Sequence, residues 1–183
     1  MSQGRKIKWL MVLRRFAVPR IFVTFYYLIK FGAKISPHAE VELSPNLVMG
    51  NNCRVSSFSK IKCSAGPLTI GSRCGFGTGC FISSGQSGLS IGDNLVCGPN
   101  VVIMADSYNY SKRGVHLHDQ GQQSKGTRIG NNVWIAAGAI ILDGADIGDD
   151  SIVMAGSVVG RKFPAGSMLQ GNPAKPMRGF FRD

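Results

Sequence analysis

The sequence predicts an all-β fold of short strands wound into stacked triangular coils, and three observations lead there. Aliphatic residues recur at every sixth position, as Ile129, Ile135, Ile141, Ile147, Val153 and Val159. The same step runs through Ile91, Cys97 and Ile103, through Ile70, Phe76 and Ile82, and through Ile35, Val41, Leu47 and Cys53. Glycine often follows the aliphatic residue (Gly71, Gly77, Gly92, Gly98, Gly130, Gly148). Four positions after it stands a small or β-branched residue: Cys74, Cys80, Val101, Val133, Ala139, Ala145, Ser151 or Ser157. A step of six is a multiple of the strand period of two and no multiple of the helix period, so both positions face one side. Glycine lets the chain turn tightly between flats where a side chain would clash. Three flats make one coil, and stacked coils bury the aliphatic residues in a column that no single unit could bury alone.

Taken in order, residues 1–34 form a basic, aromatic-rich helical segment, 35–163 the coils with a loop inserted at 104–128, and 164–183 a C-terminal tail. The chain has 183 residues, enough for one sizeable core. Its 44% hydrophobic and 17% charged content exclude a disordered tail and a charged coiled coil. Bases outnumber acids 21 to 10, and the excess is local. Arg5, Lys6, Lys8, Arg14, Arg15, Arg20, Lys30 and Lys34 fall in the first 34 residues, which hold no acid. A local excess without a recognition motif argues against nucleic-acid binding.

Within that segment Arg14, Arg15, Pro19 and Arg20 interrupt the apolar run, so a membrane-spanning helix is not expected. A bent basic helix with aromatic residues can instead lie on an anionic membrane face, and residues 5–31 are the candidate for peripheral contact. Solvated bases over an end cap are the alternative. Five cysteines (Cys53, Cys63, Cys74, Cys80, Cys97) include no C-x-x-C pair. An odd number in repeat positions reads as reduced core thiols, hence a cytoplasmic location, here extended to the inner membrane face.

The repeat breaks where the spacing is nine rather than six, from Ile61 to Ile70 and from Ile82 to Ile91, as short corner insertions, and where it is 26, from Ile103 to Ile129. The long insertion carries Asp106, Tyr108, Tyr110, Lys112, Arg113, His116, His118 and Asp119. A polar loop of this length in a compact repeat body is the expected seat of function.

With these motifs the chain resembles the hexapeptide-repeat proteins with a left-handed parallel β-helix, over about two-thirds of its length. It further resembles their sugar and polysaccharide O-acetyltransferase branch. That second resemblance rests on Asp119-Gln120-Gly121, Ser124-Lys125-Gly126, Ile129-Gly130-Asn131-Asn132-Val133-Trp134-Ile135, Ala155-Gly156-Ser157-Val158-Val159 and Gly171-Asn172-Pro173-Ala174-Lys175, in that order. The resemblance implies a homotrimer with sites between subunits, acetyl-CoA as donor, and a saccharide acceptor from a surface polysaccharide or lipopolysaccharide precursor. The pantetheine arm would run past the small corners at Ala137, Ala155 and Gly156. Lys175, with Arg161 and Lys162 expected nearby, would meet the nucleotide phosphates, and Trp134 would pack at the reaction centre.

Acyl transfer to a hydroxyl needs a base, and a neutral imidazole held by a carboxylate suits it. The histidine implied by the resemblance falls at Tyr108, or at Tyr110 if the loop is gapped differently. His116 and His118 lie six to ten residues further on and are the substitutes, with Asp106 or Asp119 to orient them. The alternative to an enzyme is a catalytically silent β-helix that binds donor or glycan. A zinc hydratase would need three converging histidines, and only His38, His116 and His118 exist, so no metal site is expected.

Overall fold

The computed structural model describes residues 18–177. Its helix α1 (Arg20–Phe31) begins directly after Pro19, whose fixed φ suits a helix start. It ends at Gly32 in the left-handed conformation, with the Gly32 N–H donating to the Leu28 carbonyl at 2.9 Å. The inward stripe of α1 is Val23, Tyr27 and Phe31, spaced by four residues. Tyr27 is buried, and its hydroxyl donates to the Glu42 carbonyl at 2.7 Å, which ties the helix to the first coil. Of the basic segment, Arg5, Lys6, Lys8, Arg14 and Arg15 lie outside the described residues.

Beyond α1 the chain winds through three sheets in turn. Sheet A stacks the parallel strands Lys34–Ile35, Arg54–Val55, Gly75–Phe76, Val96–Cys97, Trp134–Ile135, Ile152–Val153 and Met168–Gln170. Sheet B stacks Glu40–Val41, Lys60–Lys62, Phe81–Ser83, Val102–Met104, Ile140–Ile141 and Val158–Val159, and sheet C runs from Leu47–Met49 to Lys162–Phe163. This is the predicted left-handed parallel β-helix with one short helix at its N-terminal end. The parallel ladder passes residue 163 and ends at Met168–Gln170, where Lys175–Pro176 pairs antiparallel and closes that end.

Register fixes which residues are core. In sheet A, Ile35, Val55, Phe76, Cys97, Ile135, Val153 and Leu169 lie in one row. Val41, Ile61, Ile82, Ile103, Ile141 and Val159 form the row of sheet B, and Met49, Ile70, Ile91, Ile129, Ile147 and Phe163 that of sheet C. All are buried. The first coil corrects the expected phase. Its third row residue is Met49 rather than Leu47, and the next is Val55 rather than Cys53, because the turn after Val41 is longer than the regular step. Leu47 and Cys53 are still buried, since they point the same way two residues earlier.

All five cysteines are free and buried. Thiols and hydroxyls at the small positions link successive coils: Cys53, Cys74 and Cys80 donate to the carbonyls of Gly71, Gly92 and Gly98 at 3.1, 3.2 and 3.3 Å. Ser59 does the same to Gly77 at 2.8 Å. Burial pushes the thiols of Cys63, Cys80 and Cys97 up, Cys63 to about 11, so these remain protonated and act as small apolar fillers.

The three corners differ. From sheet C to sheet A, and from A to B, the chain always takes six residues between core rows, as from Ile129 to Ile135 to Ile141. From B to C every step but one departs from six: Val41 to Met49, Ile61 to Ile70, Ile82 to Ile91, Ile103 to Ile129, and Val159 to Phe163.

Candidate functional site

The longest of those departures builds a hairpin. Ser107–Tyr108 pairs antiparallel with Gln122–Gln123, and the tip contains a single 3-10 turn, Leu117–Gln120. Its base is fastened to the body by serines. Ser124 Oγ donates to the Ala105 carbonyl at 2.7 Å and accepts the Ser87 N–H at 3.0 Å, while Ser87 Oγ donates to the Ser124 carbonyl at 2.6 Å. Gly85 leaves room for this junction, since a Cβ there would collide with the Ala105 carbonyl. The Lys125 N–H donates to Asp143 of the next coil at 2.8 Å.

The tip is organised by Gln120. Its Nε2 donates to the carbonyls of Lys112 and Val115, both at 3.0 Å, and its Oε1 accepts the Lys112 N–H at 3.0 Å. Asn109 Nδ2 adds a bond to the Gln120 carbonyl at 3.1 Å. Gln120 belongs to a quoted motif, but its clasp across the loop joins residues far enough apart in sequence to leave no pattern.

Tyr108 sits at the hairpin base, 49% exposed, and Tyr110 is more exposed still. His116 and His118 flank the start of the 3-10 turn and face solvent. Among the described residues no hydrogen bond joins either imidazole to Asp106, Asp119 or another carboxylate. The expected orienting carboxylate is therefore not assembled among the described residues of one chain. The described residues hold no group of three potential metal ligands.

The remaining candidates divide among the faces. Ala137, Ala155 and Gly156 form a column at the A–B corner, where the Gly156 N–H donates to the Ala137 carbonyl at 3.0 Å. Gly138 and Gly156 have positive φ, and a Cβ at either would meet nothing within 4 Å, so this edge presents bare backbone. Trp134 projects from sheet A, 49% exposed, between Val96 and Ile152 in register. Lys175 lies at the end of the same sheet.

Arg161 and Lys162 do not join Lys175 there: they lie at the B–C corner and on sheet C, because they follow the last strand of sheet B, whereas Lys175 pairs with the last parallel strand of sheet A. Arg161 stacks on Phe163 with its guanidinium carbon 4.9 Å from the ring centroid, and Lys162 reaches Asp146 at 3.9 Å. Lys162 also lines an open groove of about 510 Å³ on sheet C beside the hairpin, with Thr69, Ser90, Lys125, Arg128 and Asp146. In a triangular prism the B–C edge is opposite sheet A. The hairpin of one chain thus faces away from its own Trp134.

Two stretches of this repeat match known family models: residues 126–161 match "bacterial transferase hexapeptide (six repeats)", and residues 67–105 match "hexapeptide repeat of succinyl-transferase". Over these stretches the chain is similar to the hexapeptide-repeat acyltransferases. The hairpin of this hexapeptide-repeat chain falls between the two matched stretches.

The galactoside O-acetyltransferase of Escherichia coli is 34% identical over 91 residues, 49% of this chain and 43% of that protein. That of Lactococcus lactis is 32% identical over 112 residues, 56% of this chain and 51% of that protein. The chain spans about half the length of the curated relatives it matches. Among solved structures, a mutant of AntD, an N-acyltransferase from Bacillus cereus in complex with dTDP and coenzyme A, aligns with TM-score 0.72 at 20% identity, covering 84% of this chain and 87% of that one. GDP-perosamine N-acetyl transferase from Caulobacter crescentus, a mutant in complex with CoA and GDP-perosamine, aligns with TM-score 0.60 at 25% identity, covering 79% of this chain and 56% of that one.

Proposed function

We propose that the chain transfers an acetyl group from acetyl-CoA to a hydroxyl of a saccharide, one belonging to a surface polysaccharide or lipopolysaccharide precursor. The observation that carries the reading is the hairpin, a polar projection at one corner of an otherwise closed solenoid, set between two stretches of transferase-type repeat. Transfer to oxygen rather than nitrogen is favoured because two of the sequence relatives, at 34% and 32% identity, are named galactoside O-acetyltransferases. The nitrogen-acylating structures are more distant, at 20–25%.

The bare A–B corner fits the donor. Ala137, Ala155 and Gly156 leave backbone within reach of a slender pantetheine arm, and Lys175 supplies positive charge at the end of the adjoining sheet. Bound there, acetyl-CoA would supply a thioester whose sulfur leaves as a thiolate and takes up the proton that the base has accepted. The chain's own task is to take the proton from the attacking hydroxyl, and His116 or His118 performs it as the neutral imidazole. The hairpin carries that imidazole outward, with Tyr110, Val115 and Leu117 exposed around it.

An outward hairpin and an exposed Trp134 on the opposite face suit a homotrimer in which one subunit's hairpin meets its neighbour's sheet A. There a carboxylate from the neighbour can hold the imidazole.

The test is release of free thiol from acetyl-CoA with a panel of saccharides. His116→Ala or His118→Ala lowers turnover by about a hundredfold or more if that residue is the base. Unchanged turnover in both variants removes the assignment. A second reading, binding without turnover, is favoured by Tyr108 standing where the resemblance implies histidine. It would show as calorimetric binding of acetyl-CoA with no thiol released for any acceptor.

A further inference from the structure

The N-terminal end of the prism presents a surface that the acyl-transfer reading does not use. The outward side of α1 carries Phe22 (62% exposed), Phe25, Tyr26 and Ile29 (84% exposed), opposite the stripe that docks on the first coil. Helix faces turned to water in a folded domain are normally polar, so this one is built to be covered.

Bases surround it. Arg20 and Lys30 lie on α1, and Lys34 stands directly beside Arg54 in sheet A, both exposed. Among the described residues none of the four is in an ion pair, whereas Lys60, Arg128 and Lys162 all are. Lys30 instead donates to the Tyr26 hydroxyl at 2.9 Å, which keeps its charge beside the aromatic patch. The chain leading into α1 adds five more bases and no acid.

We propose that the outer face of α1, with its basic rim at Lys34 and Arg54, docks on an anionic lipid surface. Apolar cover from the chain itself or from a second copy would call for no such charge. A lipid headgroup layer takes both, with aromatic rings at the acyl boundary and bases at the phosphates. No helix among the described residues is long and apolar enough to cross a membrane, so α1 lies on the surface rather than through it. The hairpin leaves the prism three coils above the first, about 14 Å of stacking, and so stays clear of the lipid.

The test is co-sedimentation of the full chain with phosphatidylcholine vesicles, with and without about 30% phosphatidylglycerol. Binding is expected to the anionic vesicles only and to weaken with added salt. A Phe22→Ser/Phe25→Ser/Ile29→Ser variant and a Lys34→Glu/Arg54→Glu variant are each expected to lower partition by about tenfold or more. Thermal melting unchanged in both establishes that these exposed substitutions leave the fold intact.

Equal binding to neutral and anionic vesicles, or none to either, overturns the proposal. So does full binding by both variants, which would put the contact in residues 1–17. A fall in molecular mass of the serine variant by light scattering, without any vesicle binding by the parent, would assign the face to a second copy instead.

Discussion

The C–A corner and the B–C corner of the same prism show how a solenoid separates a lock repeated at every coil from turns of variable length. At the C–A corner every coil turns in the same number of residues. Gly50 and Gly71 stand where a Cβ would come within 2.5 Å of the backbone or side chain of the coil above. Asx side chains continue the lock: Asp93 accepts the Ser72 N–H at 2.6 Å, Asn131 the Asp93 N–H at 2.8 Å, and Asp149 the Asn131 N–H at 2.9 Å. The B–C corner is bonded differently at each coil: Glu42 accepts the Cys63 N–H at 2.9 Å, Ser84 Oγ donates to the Gly66 carbonyl at 2.8 Å, and Asp143 accepts the Lys125 N–H at 2.8 Å, while its turns range from shorter than regular to the whole hairpin. A corner held by a different set of bonds at each coil can change the length of one turn without disturbing the rows behind it, and there the candidate site has been placed.

The comparison is tested most severely in the shared core. Ile141→Ala removes a fully buried member of the sheet B row and is expected to cost about 3–4 kcal/mol in chemical denaturation. A cost below about 1 kcal/mol would mean that the row does not hold the coils together.

Next come two glycines chosen from the two corners. Gly71→Ala forces a Cβ onto Gly92 and should cost about 1–3 kcal/mol. Gly114→Ala, at the hairpin tip with φ +75° and open space around it, should cost about 1 kcal/mol or less. Equal costs in a melting comparison would erase the distinction between the repeated lock and the open hairpin tip.

Gln120→Ala opens the clasp of the hairpin tip. Its signature is turnover lowered by about tenfold with an unchanged denaturation midpoint, because positioning is lost and no core is touched. A shifted midpoint with normal turnover would assign Gln120 to stability alone.

The smallest expected effect is on pH. The Asn131 N–H, then the Asn131 side chain and Arg128, hold the Asp149 carboxyl below its ordinary 3.8. Its contribution is present above that value and fades as pH falls through the lower folded-state value. Asp149→Asn should therefore lower stability slightly at neutral pH, leave it unaltered at low pH where the carboxyl is protonated, and so flatten the acid limb of the stability–pH curve. A steeper acid limb would refute the sign.

Much of this was legible in one dimension. A step of six needs only local backbone geometry to decide which residues turn inward, so Ile129 through Val159 and the small residues four places on could be read directly. Even the insertion announced itself as a gap in the count. The first coil was misphased because a two-residue lengthening after Val41 leaves Leu47 and Cys53 still buried, so hydrophobicity alone cannot separate them from Met49 and Val55.

Sequence alone determined the repeat, the core, the reduced thiols and the site of the insertion, since each follows from spacing along the chain. Only the tertiary structure decided that Arg161 and Lys162 stand on a different face from Lys175, and that Gln120 clasps the hairpin. It also turned the hairpin away from Trp134. Those relations depend on which coil and corner a residue occupies. Each depends on turn lengths accumulated along the chain, which no single motif records.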